Sequence, residues 1–261
     1  MNRNYRLMEF IAEGSFGKIY KGENIYTGES VAIKIEPKNL DLKLLINESK
    51  VYHLLRNKKG IPSLKWFGND KNNFYLISDL LGISLSEISK HSEKLSEKII
   101  LEIGKQMLDC IVSFHEMKLI HRDIKPENFL FGIKENKNQL YIIDYGFCKS
   151  YEREGKHISN SPCKKIIGTS NYISLNIHHL QSGSRRDDLE SWVYILMDLF
   201  QLNNWKNYDY YIEPAIFYRF KRDCINENIP IYIKNMLLYI RKLTFEETPN
   251  YDILYNILKS T

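Results

Sequence analysis

The densest group of chemically active side chains lies in LIHRDIKPENFLFG, residues 119–132. Asp123 can accept a hydroxyl proton, the Lys125 ammonium can neutralise a transferring phosphoryl group, and the Asn128 amide oxygen can ligate a metal ion. Apolar runs flank these residues, so they are expected where strands and helices end. This mixture of charge and amide suits neither loop nor core, and it predicts a site for phosphoryl transfer.

Three other stretches carry residues that fit the same chemistry. In AEGSFGKIY, Gly14 and Gly17 lack side chains that would block the approach of backbone amides to phosphate oxygens. In VAIK, Lys34 ends an apolar run, and an inward-pointing lysine needs an anion, which Glu48 can supply. In DYG, Asp144 offers the hard carboxylate oxygens that Mg²⁺ prefers. Taken singly, these stretches also fit an ordinary hairpin, a surface lysine and a turn-capping aspartate.

The first 80 or so residues are predicted to form mainly β-sheet with one helix. Residues 5–36 contain three antiparallel strands, with a hairpin at Thr27 and Gly28. LDLKLLINESKVYHLLRN has helical spacing, which places Glu48 near the edge of an apolar stripe. That stripe consists of Leu40, Leu44, Leu45, Val51, Leu54 and Leu55. IPSLKWFGNDKNNFYLISDLLG is predicted to form two more strands around an Asn-Asp turn.

The pattern becomes mainly helical after Gly82. Ser96 is the predicted N-cap of the helix in EKIILEIGKQMLDCIVSFHEMK. Its expected buried residues are Ile99, Ile100, Ile103, Met107, Ile111 and Val112. LYIIDYGF predicts a short buried strand that ends in Asp144, and DDLESWVYILMDLF predicts a strongly apolar helix that opens with Asp187 and Asp188. The sequence contains no internal repeat and no low-complexity tract.

Length and composition narrow the class of protein. A chain of 261 residues with 43% apolar and 26% charged residues suits one large globular domain or two lobes. The formal charge of +5 is spread along the chain, so nucleic acid is not demanded. No apolar run approaches the roughly 18 residues that span a bilayer. With no secretory leader and no metal-ligand spacing among the cysteines, reduced thiols and a cytoplasmic or nuclear location are expected.

In their order and intervals, AEGSFGKIY, VAIK, HRDIKPEN and DYG resemble a eukaryotic protein kinase over about residues 5–258. The lysine two places after Asp123 is similar to the serine/threonine class. A narrower resemblance, to the casein kinase I family, rests on GIPSLKWFG, IIDYGFCKSY, GTSNYISLN and SRRDDLESW. There Ser174, Leu175 and Asn176 stand where most kinases have Ala-Pro-Glu.

The resemblance implies an α+β, bilobal protein kinase fold across residues 1–261. A small antiparallel-sheet N-lobe with one main helix would occupy about residues 1–79, and a larger, mainly helical C-lobe residues 80–261. It further implies a monomeric serine/threonine protein kinase that transfers the ATP γ-phosphate, with Mg²⁺, to protein Ser or Thr hydroxyls. The expected substrates are acidic proteins or proteins already phosphorylated upstream, and neither nucleic acid nor membrane is an expected partner.

The resemblance also assigns a role to each residue of the site. Asp123 would orient and deprotonate the substrate hydroxyl, and Lys125 would contact the γ-phosphate. Lys34 would bind the α- and β-phosphates while paired with Glu48. The implied metal ligands are Asn128 and Asp144. The implied nucleotide-binding residues are Ala12, Gly14, Ser15, Gly17, Ile19, Ala32, Lys34, Glu48, Ser78, Asp79, Leu80 and Leu81.

Six positions match residues that have a more specific role in the family. Ser78 matches the gatekeeper behind the adenine, usually a methionine, and its small size predicts a pocket open to bulky ATP analogues. Residues 79–81 match the hinge whose backbone binds the base. Thr169 matches a threonine that can hydrogen-bond near Asp123, and Asp188 matches a buried aspartate that anchors the catalytic-loop backbone.

Three departures from the family pattern limit the resemblance. Ala12 replaces the first loop glycine, Tyr145 replaces a phenylalanine, and Asn171 replaces an anion-binding arginine, which weakens the expected recognition of primed substrates. Other basic positions are kept: Arg122, Lys149 and Lys164. Because the sequence ends just after the final kinase helix, we expect constitutive activity and no regulatory tail. The open alternatives are an inactive kinase-fold scaffold, a small-molecule phosphotransferase and a nucleic-acid-binding module.

Overall fold

The computed structural model describes residues 2–14, 17–91 and 95–259. They divide into two compact units. The N-terminal unit contains the residues up to 84 together with 129–148, and the C-terminal unit contains 85–128 and the residues from 149 onward. The expected α+β composition is confirmed. One kinase domain with a lobe boundary near residue 79 stays a prediction.

The secondary-structure elements are numbered in chain order. The strands are β1 Tyr5–Gly14, β2 Gly17–Asn24, β3 Ser30–Pro37, β4 Leu64–Asn69, β5 Asn73–Asp79, β6 Leu119–Ile120, β7 Phe129–Phe131, β8 Leu140–Ile142, β9 Lys149–Ser150, β10 Glu152–Arg153 and β11 Lys156–His157. The helices are α1 Leu44–Leu54, α2 Leu85–His91, α3 Glu97–Glu116, α4 Leu175–His178, α5 Arg185–Leu199, α6 Pro214–Asp223, α7 Ile231–Lys242 and α8 Tyr251–Lys259. Short 3₁₀ turns occur at residues 126–128, 134–136, 204–207 and 224–226.

The N-terminal unit is built on an antiparallel five-stranded sheet of order β1-β2-β3-β5-β4. The predicted hairpin at Thr27 and Gly28 is confirmed, and Gly28 adopts the left-handed backbone conformation with φ of 70°. Side chains alternate between the two faces of a strand, so β3 contributes side chains to both faces of the sheet. Val31 and Ile33 enter the hydrophobic core, whereas Ala32 and Lys34 face the opposite side.

The helix of the N-terminal unit begins four residues later than the apolar spacing predicts. Leu40 lies in the preceding turn, and α1 starts at Leu44. The buried Glu36 side chain accepts a hydrogen bond at 3.0 Å from the backbone N–H of Leu45. A carboxylate at this position satisfies one of the open N–H groups of the first turn and suits the positive end of the helix. This contact fixes where the helix starts.

The C-terminal unit is organised around α3 and α5. Ser96 caps α3 as predicted, because its hydroxyl accepts from the N–H of Ile99. The side chain of Ile99 is 49% exposed, however, so its expected burial is wrong. It lies one position off the buried stripe of Ile100, Ile103, Met107 and Ile111. In the described part of the chain, no helix combines the length and apolar character needed to cross a membrane.

The apolar helix predicted from DDLESWVYILMDLF is α5, whose residues are buried except for Arg186. It begins with a capping box in which Ser184 and Asp187 satisfy each other's backbone N–H groups. The helix therefore begins at Arg185, two residues before Asp187, where the sequence had predicted its start. The indole N–H of Trp192 donates to the carbonyl oxygen of Gly104 at 3.0 Å and joins α5 to α3.

Candidate active site

The predicted nucleotide-binding residues of the sheet lie on one of its faces. Ala12 is paired with Ile19, and Ile19 is paired with Lys34 on the next strand. Ala32, two residues before Lys34, is paired with Ser78. Directly opposed residues share a face, and so do residues two apart along a strand. The register of β1, β2, β3 and β5 therefore brings these predicted side chains together.

The two predicted loop glycines are paired at the ends of β1 and β2, and they differ in what their surroundings require. A Cβ atom added at Gly17 would lie 2.2 Å from the carbonyl oxygen of Ile35, so the sheet itself demands glycine there. A Cβ atom added at Gly14 would meet nothing within 4 Å. Of the two, Gly14 has no neighbour among the described residues that would exclude a side chain. Ser15, predicted between them, lies outside the described residues.

Lys34 forms the central ion pair of the N-terminal unit. Its Nζ lies 2.7 Å from a carboxylate oxygen of Glu48 and 2.8 Å from one of Asp144. The Glu48 side chain, predicted near the edge of the apolar stripe of α1, is 3% exposed and therefore buried. Burial alone would lower the pKa of Lys34, but the two carboxylates outweigh burial and raise the pKa above its ordinary value. The ammonium thus stays charged and has a fixed position.

Asp144 lies beyond its strand rather than at the strand's last position. The strand β8 ends at Ile142, and Asp144 adopts a left-handed backbone conformation with φ of 66°. Such a conformation is uncommon for residues other than glycine and is typical of sites where geometry is imposed by neighbours. It directs one carboxylate oxygen to Lys34.

Asn47 is a residue of this site that the sequence motifs did not single out. Its side-chain Nδ2 lies 3.3 Å from the carbonyl oxygen of Tyr145 and 3.0 Å from those of Gly146 and Cys148. Helix α1 approaches closely here, because a Cβ added at Gly146 would lie 2.9 Å from that of Leu44. The only sequence signal was its position next to Glu48. The amide ties α1 to the backbone that follows Asp144.

In the C-terminal unit, the Asp123 carboxylate is held at both oxygens. Lys125 donates to one oxygen at 2.7 Å, and the Thr169 hydroxyl donates to the other at 2.8 Å. Asn128 donates from its side-chain Nδ2 to the backbone carbonyl of Asp123 at 2.9 Å, which leaves the amide oxygen available as a metal ligand. Asp123 is only 5% exposed. Three residues predicted from one stretch, and Thr169 from another, therefore converge here.

The backbone before Asp123 is fixed by Asp188 from α5. The Asp188 carboxylate accepts from the N–H groups of His121 at 2.7 Å and Arg122 at 2.9 Å. This anchoring contact is the one that the resemblance implied for Asp188. Arg122 has φ of 69°, so the anchored backbone is strained. His115 Nε2 lies 3.2 Å from the same carboxylate, and burial lowers the pKa of His115, which favours the neutral ring.

A family model of the protein kinase domain matches residues 5–204. The chain belongs to the protein kinase domain family. The match covers well over half of the sequence and confirms the predicted fold class. It includes Lys34, Glu48 and Asp144 in the N-terminal unit of the kinase and Asp123 and Asn128 in its C-terminal unit.

The predicted hinge of the kinase follows β5. Ser78 is 8% exposed, and burial raises the pKa of the neighbouring Tyr52 on α1. The Tyr52 ring packs against Tyr145 with ring centroids 4.6 Å apart. Asp79, the first predicted hinge residue, accepts from the backbone N–H of Ser63 at 2.7 Å. Its carboxylate therefore joins the hinge to the segment that precedes β4. The remaining hinge positions are Leu80 and Leu81.

Proposed function

We propose that this kinase is a serine/threonine protein kinase of the casein kinase I type, which transfers the ATP γ-phosphate to protein Ser or Thr hydroxyls. The observation that supports this most directly is the Asp123 carboxylate, buried and held by Lys125 and Thr169. A buried carboxylate with a fixed orientation suits a base that accepts a hydroxyl proton. A lysine beside it suits the charge of a transferring phosphoryl group.

Each side chain would act through position and charge. Lys34, fixed by Glu48, would bind nucleotide phosphates, and Asp123 would orient the attacking hydroxyl and take its proton. The donor set fits Mg²⁺, because Asn128 and Asp144 offer hard oxygen atoms. When bound, Mg²⁺ would neutralise charge on the phosphate oxygens. The remaining contribution of the protein is to hold these groups in place.

The test is transfer of labelled phosphate from ATP and Mg²⁺ to dephosphorylated casein, followed by phosphoamino-acid analysis. We expect phosphoserine and phosphothreonine from the wild type, and at least a hundredfold slower transfer from Asp123→Asn. Asp41→Asn, an equivalent change at an exposed loop residue, should behave as the wild type. Label on tyrosine would contradict the proposed substrate class. No transfer by the folded wild type would favour the inactive scaffold.

We further propose a preference for acidic or phosphorylated substrates that is weaker than the family's. Arg122 and Lys165 line one surface cavity of the C-terminal unit, where they could attract an anionic side chain. The neutral Asn171 attracts phosphate less than an arginine would. A peptide pair that differs only in an upstream phosphoserine tests this preference. The phosphorylated peptide should have a modestly higher kcat/KM, and Asn171→Arg should enlarge the difference; equal values in both proteins would contradict the idea.

We also propose that the kinase is active without prior phosphorylation, as a monomer. Lys34 is already paired with Glu48 and Asp144, an arrangement that many kinases reach only after activation. Treatment of the purified protein with a phosphatase should change the rate of casein phosphorylation less than twofold. A large rise or fall would contradict this proposal.

A further inference from the structure

Lys221, near the end of α6, is a fully buried lysine that belongs to none of the kinase sequence motifs. Its residue is 0% exposed, and its Nζ donates to the backbone carbonyl oxygens of Ser170 and Ile173, each at 2.8 Å. Lysine is almost never fully buried unless a specific interaction offsets its desolvation. The two hydrogen bonds to carbonyl oxygens are the specific interaction that offsets the cost of burying this side chain.

The ammonium of Lys221 lies among aromatic rings rather than beside a carboxylate. Its distances to ring centroids are 4.7 Å for Tyr194, 5.2 Å for Phe217 and 5.8 Å for Trp205. Across the described ranges, no carboxylate lies within ion-pair distance of it. Burial lowers the pKa of Lys221, and the more distant Glu190 opposes that shift. Ring faces and carbonyl oxygens both favour the cation, so they offset part of the cost of burial.

Both carbonyl groups belong to Thr169–Ile173, which we call the acceptor segment. The segment begins at the candidate base, because the Thr169 hydroxyl donates to Asp123 at 2.8 Å. Its middle is held as well, since the Trp205 indole donates to the carbonyl oxygen of Asn171 at 3.1 Å. Because Thr169 contacts one oxygen of Asp123, we infer that the chain flanking a bound substrate hydroxyl lies along the acceptor segment.

We propose that Lys221 is a positioning residue for protein-substrate binding. It serves this role by holding two backbone carbonyl groups of the acceptor segment in place. The inference rests on the proposed protein kinase function. Within the described part of the C-terminal unit, Lys221 contacts the acceptor segment and not Asp123 itself. Its loss should therefore affect the binding of the protein substrate more than the binding of ATP.

The test is Lys221→Met, because methionine keeps the length and apolar stem of lysine and removes the donors. We expect the KM for casein to rise at least fivefold, while the KM for ATP stays within twofold of the wild type. Trp205→Phe, which removes the indole donor to Asn171 and shortens one ring near Lys221, should raise the KM for casein by a smaller factor. If Lys221→Met does not fold, Trp205→Phe still provides the comparison.

Trp192→Phe is the matched control, since it removes a buried indole hydrogen bond between α5 and α3, away from the acceptor segment. It should lower the melting temperature without a selective change in the KM for casein. The inference is overturned if Lys221→Met leaves the KM for casein within twofold, or raises both KM values in parallel. No phosphate transfer to casein by the wild type would instead overturn the proposed function, and this inference with it.

Discussion

The side-chain Nδ2 of Asn47 lies 3.0 Å from the carbonyl oxygen of Gly146, and it also reaches Tyr145 and Cys148. One amide on α1 thus holds the backbone that follows Asp144. Asn47→Leu keeps the size of the side chain and removes the donor, which leaves carbonyl groups without this partner. We expect the free energy of unfolding to fall by about 1–3 kcal/mol. The KM for Mg²⁺ should rise severalfold, as measured in the casein assay.

The control for this variant is Ser49→Ala on the same helix, where the lost hydroxyl bonds only to the local backbone of Ile46. It should leave the KM for Mg²⁺ unchanged. If Asn47→Leu lowers stability and leaves the Mg²⁺ dependence as in Ser49→Ala, then Asn47 serves the fold and not the position of Asp144.

Variants of the buried pair Lys34 and Glu48 can separate its contribution to stability from its contribution to phosphate transfer. Lys34→Met leaves Glu48, 3% exposed, without its cation. Breaking such a pair on one side costs about 3–5 kcal/mol, which urea unfolding at pH 7 would measure. Phosphate transfer should fall at least a hundredfold. Lys34→Met with Glu48→Gln should recover most of the stability, because the buried Glu48 position then carries no charge, and none of the transfer. A double variant no more stable than the single one would show that the pair is not the cause.

These two positions also show what a sequence can predict. Lys34, Glu48, Asp123, Asn128 and Asp144 were all predicted, because a charged or amide side chain within an apolar run is costly to bury unless it has a specific partner. The hairpin at Thr27 and Gly28 was predicted as well, but the register that places the strand residues on one face was not.

Asn47 and Lys221 escaped prediction for a physical reason. Both bind backbone carbonyl groups that are distant in sequence, and a carbonyl group is present at every residue. No side-chain pattern therefore marks the partner. The start of α1 escaped for the same kind of reason, because it depends on Glu36 from a neighbouring strand rather than on the apolar spacing of the helix itself.

Ser78, at the predicted gatekeeper position, is small, which predicts sensitivity to enlarged nucleotide analogues. Tyr52 limits the size of the analogue that can bind. Ser78 is close enough to Tyr52 to lower the pKa of that hydroxyl, against the larger effect of burial, so the ring bounds the space beyond the serine. A purine analogue with a bulky substituent should inhibit the wild type at least tenfold better than Ser78→Met, while the KM for ATP changes little. Inhibition constants in the casein assay measure this. Equal inhibition of both proteins would mean that Tyr52 already closes the pocket.

His178, the last residue of α4, makes the fold sensitive to acid. Its ring lies among the rings of Tyr210, Phe217 and Tyr218, with centroids 5.5–6.0 Å away. Burial, followed by the nearby side chains of Lys221 and His179, lowers the pKa of His178 to about 3. An unfolded histidine has a pKa of about 6.5. The unfolded chain therefore binds this proton first, and stability is lost as the pH falls from about 6.5 towards 3.

Urea unfolding at pH 7.5 and pH 5.0 measures this loss. Over that interval a histidine shifted this far contributes up to about 2 kcal/mol, and other groups that titrate add to the total. His178→Leu should therefore lose less stability between the two pH values than the wild type does, by about that amount. His53→Leu, at an exposed position of α1, should keep the wild-type dependence. If both variants lose as much stability as the wild type between the two pH values, the acid sensitivity arises from other groups, because removal of the His178 ring would then have left it unchanged.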